Sequence, residues 1–242
     1  MTRPVVMNER ADPRRVALVT GGGRGSGAAV VGALADRGYS IAIHAHASLR
    51  EARGMAEALS SSGIESLAVT ANMREEGPVR AMVQRVADHF GRIDALVTCV
   101  GLNRRIDWAD LTADDLRLHF EVNCVGTFVA AQEAGAFMVR QPDGGNIVLL
   151  GDDCSPPFTI GSTAAMISRS SIPALVGCLA TELAALHKRV RVNGVLHSHG
   201  ATAGQIPEVV QRVVWLLEHP EVNGVCLKAH EALSGSAGRP TA

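Results

Sequence analysis

Short apolar runs and amphipathic stretches alternate along the chain. Val16 to Val19, Tyr39 to His46, Ser66 to Ala71, Ile93 to Cys99, Gly145 to Gly151, Arg189 to Leu196 and Asn223 to Ala229 are rich in small and branched apolar residues. They are too short for helices and read as buried parallel strands. Between them apolar residues recur at helical spacing. Ala28 to Arg37 is one such stretch; Ala52, Met55, Ala56 and Leu59 mark another; Val79, Met82, Val83, Val86 and Phe90 a third. Longer helical stretches follow from Asp115 to Val139, Ile172 to Leu186 and Glu208 to Leu217. Thr112-x-x-Asp115 has the chemistry of a helix start. The alternation predicts one α/β domain with a seven-stranded parallel sheet, ordered 3-2-1-4-5-6-7, and helices on both faces. Its expected span is 14–232. Residues 1–13 are polar, with Pro4 and Pro13, and read as a tail; 233–242 read as a second tail.

The first strand leads into the most informative stretch. After Thr20, four of five residues are glycine, and Ser26 and Gly27 follow before the helical pattern begins. Strand, glycine turn and helix form the context in which backbone approaches a pyrophosphate closely. The helix N-terminus adds free N–H groups and a positive dipole end. Gly21, Arg24, Gly25, Ser26 and Gly27 are therefore candidate dinucleotide-binding residues. The end of the second strand selects the dinucleotide. An acid there would bind the NAD ribose, yet none lies between Asp36 and Glu51. His44, His46 and Ser48 stand there instead, with Arg24 in the turn, which favours NADP over NAD. His44 and His46 also fit a plain strand pair, one inward and one outward, and lack a third ligand for a metal.

Charge and cysteine usage narrow the class. A net charge of −1 argues against a nucleic-acid surface. Cys99, Cys124, Cys154, Cys178 and Cys226 have no C-x-x-C spacing and read as free buried thiols in a reducing compartment. The N-terminal residues contain no signal-like apolar core. No apolar run is read as long enough to span a membrane. A cytoplasmic protein is expected.

Thr20-Gly21-x-x-x-Gly25-x-Gly27 resembles the short-chain dehydrogenase/reductase family. The resemblance runs from about Arg14 to Ala229 and implies a single-domain Rossmann fold with a nicotinamide cofactor. His44-x-His46-x-Ser48 is similar to the pteridine-reductase branch, with Ala47 where that branch has a basic residue. Asn72 and Met73 stand where the family contacts adenine, with Asn72 replacing the usual aspartate. Of the family's N-N-A-G only Gly101 survives. Asn123 matches a mid-helix asparagine that the family uses to hold a water on a proton relay. Thr202 matches a threonine on the cofactor, although the preceding proline-glycine is replaced by residues from His197 to Gly200.

The catalytic half departs from the family. Asp152 stands where the family has its serine. Leu179-Ala-Thr-Glu182 resembles the family's L-A-x-E, and counting back places Ala165 at the tyrosine and Arg169 at the lysine. No alignment repairs this, because the only tyrosine is Tyr39 and the only lysines are Lys188 and Lys228. Arginine keeps a positive charge but is never deprotonated near neutral pH. Pro173 would cost an uninterrupted helix about 3 kcal/mol, so a kink or restart is expected, with Ser170 and Ser171 available to cap. The family's helical lid is missing: Gly204 to Pro207 leads almost directly into the penultimate helix.

Three functions remain open at this level. The chain is an NADP(H)-binding subunit without carbonyl reduction, or its pocket runs non-redox proton transfer, isomerisation or cyclisation with Asp152, Arg169 and Asn123, aided by His197 and His199, or it reduces a small carbonyl compound with a substitute proton donor. The family commonly pairs two helices into a dimer or tetramer. Here Val129, Ala130, Leu175, Val176 and Leu179 are the expected contacts, with an active homologue as a further partner.

Overall fold

The computed structural model describes residues 15–156, 158–198 and 203–231. The two expected tails lie outside the described residues, as do Arg14 and Ala232 at the ends of the expected domain, and Thr202 and His199. The seven strands are β1 (Val16–Thr20), β2 (Ser40–His44), β3 (Ser66–Val69), β4 (Ala95–Thr98), β5 (Gly145–Asp153), β6 (Val190–Ser198) and β7 (Cys226–Lys228). All pair in parallel, in the order β3-β2-β1-β4-β5-β6-β7. Because every strand points the same way, the loops that follow them gather at one edge of the sheet.

Period-two alternation divides the core between the two faces. Val16 and Leu18 of β1 join one apolar cluster, with side chains from α3 (Glu76–Phe90), α5 (Gly126–Arg140) and α7 (Ile172–Leu186). Ala17 and Val19 join the other, with α1 (Gly25–Ala35), α2 (Leu49–Ser61) and α8 (Ile206–Glu218). This is the doubly covered parallel sheet that the continuous apolar strands require.

The segment before α5 begins at α4 (Ala113–Phe120), and the expected start there is realised as a capping box. Thr112 Oγ1 accepts from the Asp115 N–H at 3.2 Å, and the Thr112 N–H donates to the Asp115 carboxylate at 3.1 Å. A π-helical turn, Glu121–Val125, joins α4 to α5. The next helix pair is broken as Pro173 demands. α6 (Thr163–Arg169) stops, and α7 restarts with the proline in its first turn, where no N–H is needed. Ser170 and Ser171 do not cap α7. Their hydroxyls donate backwards, to the Ile167 carbonyl at 2.6 Å and the Ser168 carbonyl at 2.7 Å, closing the end of α6.

Three further expectations are corrected. Ala113–Arg140 and Thr163–Leu186 are long and apolar enough, by length and composition, to cross a membrane, at mean hydropathies of 1.2 and 1.3. Half of each apolar window is buried in the fold, so their apolarity serves the sheet. For the same reason Val129, Ala130, Val176 and Leu179 are core residues against the sheet rather than outer surface, and Leu175 is half-buried. The thiols are free but not buried as a set: Cys178 is exposed and the other four are intermediate.

The end of β2 is tied to both neighbouring strands by one side chain. His44 is fully buried. Its Nδ1 accepts from the Gly21 N–H at 3.3 Å, and its Nε2–H donates to the Ala71 carbonyl at 3.1 Å. Burial holds its pKa below the usual 6.5, the Ala71 bond opposes this, and the nearby His46 reinforces it. The ring is therefore neutral when folded, while in the unfolded chain it takes up a proton below about pH 6.5. This contribution to stability is complete above that pH and is lost as pH falls through the depressed folded value. Urea unfolding between pH 7.5 and 5 is expected to show the decline. His44→Gln, which keeps a donor for Ala71, is expected to cost roughly 1–3 kcal/mol at pH 7 and to flatten the profile. An unchanged slope in this variant would assign the decline to another group.

Candidate active site

A cleft of about 660 Å³ opens at the edge where the strands end. Its lining includes Gly21, Arg24, Gly25, Ser26, Gly27, His46, Ser48, Asn72, Met73 and Gly101, together with Asp152 and Arg169. The structure thus gathers into one cavity every described residue singled out for the cofactor, and two of the three singled out for chemistry. Thr202 lies outside the described residues.

At the cofactor end, the glycine turn folds back onto α1. A Cβ on Gly27 would collide with the Gly21 carbonyl, so the turn can be this tight only with glycine there. Gly23 likewise abuts the buried Ser48, which ties the turn to the start of α2. Arg24 and His46 are exposed on the cleft wall. Among the described residues no carboxylate pairs with Arg24. Asn72 spends its side chain on its own turn: Oδ1 accepts from the Arg74 N–H at 3.2 Å and Nδ2 donates to Glu75 at 2.6 Å. Met73 is buried behind it, its carbonyl packed against Gly126. The cradle fits the pyrophosphate of a nicotinamide dinucleotide.

At the other end the chemistry centres on Arg169, the last residue of α6. Its Nε lies 2.9 Å from Oδ1 of Asp152, and both side chains are buried, at 10% and 1% exposure. Asp152 sits on β5 and His197 beside it on β6, paired by the strand register. Arg169 Nη2 donates to His197 Nε2 at 2.9 Å, while His197 Nδ1–H donates to the Ser198 carbonyl at 3.1 Å. These two bonds define the neutral tautomer. His197 Nε2 is 3.8 Å from the same Asp152 oxygen. Arg169 also lies across Gly101, in the space a Cβ would fill, which gives the surviving glycine a steric role. Burial pushes the nearby Cys99 thiol up to about 12, partly offset by Arg169, so it is no nucleophile at neutral pH.

Asn123 stands outside the lining. Its Oδ1 accepts from the Leu102 N–H at 2.6 Å, and its Nδ2 donates to the Leu102 carbonyl at 3.0 Å and to Ser168 Oγ at 2.8 Å. The amide pins the loop after β4 to α6, and these bonds leave it little capacity to hold a relay water. Ala165 is fully buried and also off the cleft wall. The sequence reading missed the apolar wall of Leu118, Val122 and Leu150. The i, i+4 spacing of Leu118 and Val122 was the available signal. It also missed the cross-link made by His44.

A parallel sheet with a glycine-cradled cleft at its carboxyl edge defines the class of dinucleotide-binding oxidoreductase folds. The family model for short chain dehydrogenase matches residues 15–207. The chain is 30% identical over 229 residues to rat 3-oxoacyl-[acyl-carrier-protein] reductase, covering 87% of this chain and 94% of that one. It is 32% identical over 195 residues to versicolorin reductase 1 of Dothistroma septosporum, covering 78% and 70%. A short-chain dehydrogenase/reductase from Serratia marcescens superposes with a TM-score of 0.78 at 28% identity, covering 88% of this chain and 95% of that one. A blue fluorescent protein from a metagenomic library, solved with NADPH, superposes at 0.79 and 26% identity, again covering 88% and 95%. The chain belongs to the short-chain dehydrogenase/reductase family, an oxidoreductase family whose fold binds nicotinamide cofactors.

The Arg169 cluster has a direct energetic consequence. Removing one partner of a buried ion pair leaves the other charge uncompensated. Asp152→Ala is expected to cost about 3–5 kcal/mol in urea unfolding. Asp152→Leu with Arg169→Met is expected to return close to the parent. A single variant as stable as the parent would show that the pair carries no such burden.

Proposed function

We propose that this chain binds NADP(H) in the cleft and serves as a non-catalytic, ligand-responsive subunit, without the family's tyrosine–lysine route to carbonyl reduction. The observation that carries this reading is the buried Asp152–Arg169–His197 cluster. Carbonyl reduction needs a group that gives up a proton as hydride arrives, and the bound cofactor would supply only the hydride. Here Arg169 cannot titrate near neutral pH. Its charge is spent on Asp152 and one of its donors on His197. The buried Ala165 offers no donor in its place. The β6–α8 connection, residues 199–205, is also too short for a helical lid, so water is not excluded in the usual way.

Arg24 and His46 support the choice of NADP(H). The Arg24 guanidinium and the His46 ring are both exposed at the rim beside Ser48, where among the described residues a 2′-phosphate would find no carboxylate paired with Arg24. The relative solved with NADPH is consistent with it. The five free thiols suit a reducing interior such as the cytoplasm.

A second reading rests on His197. Its Nδ1–H is tied to the Ser198 carbonyl, so Nε2 faces Arg169 and Asp152. A carboxylate, a guanidinium and a neutral imidazole in one cleft form a set for non-redox proton transfer. Single-turnover mixing with NADPH and a carbonyl panel separates both readings from a reductase. Stoichiometric NADPH oxidation would favour a reductase with a substitute donor; cofactor binding without oxidation fits the two readings above, and a loss of any proton exchange on His197→Ala would then favour the second.

Assembly belongs to the same proposal. The outer face of α7 presents Ala174, Gly177, Cys178 and Thr181, all exposed, as a surface for a second copy or an active homologue. A monomer by light scattering at micromolar concentration, alone and mixed with such a homologue, would remove this element.

Two substitutions test the core of the proposal. Arg24→Ala is expected to weaken NADPH by about 1.5–3 kcal/mol while leaving NADH nearly unchanged, as read by fluorescence titration. Equal losses for both cofactors would refute the phosphate assignment. Ala165→Tyr with Arg169→Lys is expected not to restore NADPH consumption with small ketones, aldehydes or quinones. Position 165 is packed inside the fold, and Asp152 would raise the pKa of a nearby phenol. Robust turnover by the double variant would show a reductase pocket lacking only its proton donor.

A further inference from the structure

A second cavity, of about 240 Å³, lies at the opposite edge of the sheet, beneath the first residues of β1, β4, β5 and β6. Four arginines line it, Arg15, Arg92, Arg189 and Arg191, against two carboxylates, Asp94 and Asp143. The two acids are unevenly spent. Asp94 takes the fork of Arg92, with Nε at 2.8 Å and Nη2 at 2.6 Å, and also accepts from the Val16 N–H at 2.8 Å. Asp143 is mostly exposed and only loosely placed, 3.6 Å from Arg92 and 3.8 Å from Arg189.

Arg15 and Arg191 have no carboxylate within 4.0 Å among the described residues. Arg15 lies over the Tyr39 ring at 4.4 Å, which fixes its head at the cavity wall. Arg191 is half-buried, and its Nη1 donates to the His219 carbonyl at 2.7 Å, at the end of α8. Burial pulls its pKa down, and the nearby Glu221 carboxylate offsets this only in part. The lining therefore holds two positive charges more than negative ones, in a space too small for a nucleotide.

We propose that this cavity is a binding site for a phosphate-type dianion, either free phosphate or the head of a small phosphomonoester. A dianion suits a lining in which four arginines face two carboxylates, and guanidinium forks match tetrahedral oxyanions through paired hydrogen bonds. The walls come from four strands and the end of α8, so only the folded chain presents the site. Binding then stabilises the fold by mass action.

The test is thermal unfolding of the full chain with phosphate, glycerol 3-phosphate or sodium chloride at matched ionic strength, with calorimetry for affinity. A saturable rise in melting temperature with phosphate or the monoester, and none with chloride, is expected. Equal rises for the two identify the headgroup alone as the ligand; a rise with one only identifies that source. Arg15→Gln with Arg189→Gln, both at exposed positions, is expected to weaken binding roughly tenfold or more. Arg24→Ala, in the cofactor cleft, is expected to keep the response. A response equal to that of chloride would overturn the proposal. So would one that survives Arg15→Gln/Arg189→Gln and vanishes in Arg24→Ala, because the phosphate would then be occupying the cofactor cleft.

Discussion

A guanidinium cannot discharge itself, so burying one constrains everything around it. Arg169 ends α6 inside the cleft, and its surroundings answer that charge one by one. Asp152 supplies the counter-charge, His197 adopts the tautomer that accepts, and Gly101 yields the volume. The β5–β6 register brings the first two together, since Asp152 and His197 are paired positions. Behind them Asn123 fastens the loop after β4 to Ser168, one residue before Arg169. The result is a buried cluster in which a carboxylate answers the guanidinium at one end of the cleft.

Much of this architecture was legible in the sequence because it follows from local rules. Short apolar runs bounded by glycine could only be buried strands, and parallel connectivity left few orders for them. The glycine turn after Thr20 announced its own cleft. Thr112 and Asp115 announced a helix start, and Pro173 announced a break. The missing tyrosine and the lone pair of lysines followed from counting residues.

What escaped depends on which partner a side chain finds. Asn123 looked like a site amide, but the backbone of Leu102 and the hydroxyl of Ser168 take both its N–H groups and bond its oxygen, and no spacing along one helix reveals those partners. Val129, Ala130, Val176 and Leu179 fit an oligomer surface by composition, yet the same spacing fits a sheet, and the sheet holds them. His44 read as half of a strand pair. Its bonds to Gly21 and Ala71 span two neighbouring strands, and no periodicity within one strand reveals such a link.

The short return from β6 to α8 carries a kinetic consequence. Between Ser198 and Ile206 the chain has too few residues for a helical cover, so for the occupant proposed above this segment would add no slow opening step to departure. Residence time would then follow from the occupant's own contacts with the cleft wall. A site of this kind tracks the ambient concentration of its ligand on the timescale of dissociation, as a gauge does, whereas a lidded pocket commits to one molecule at a time.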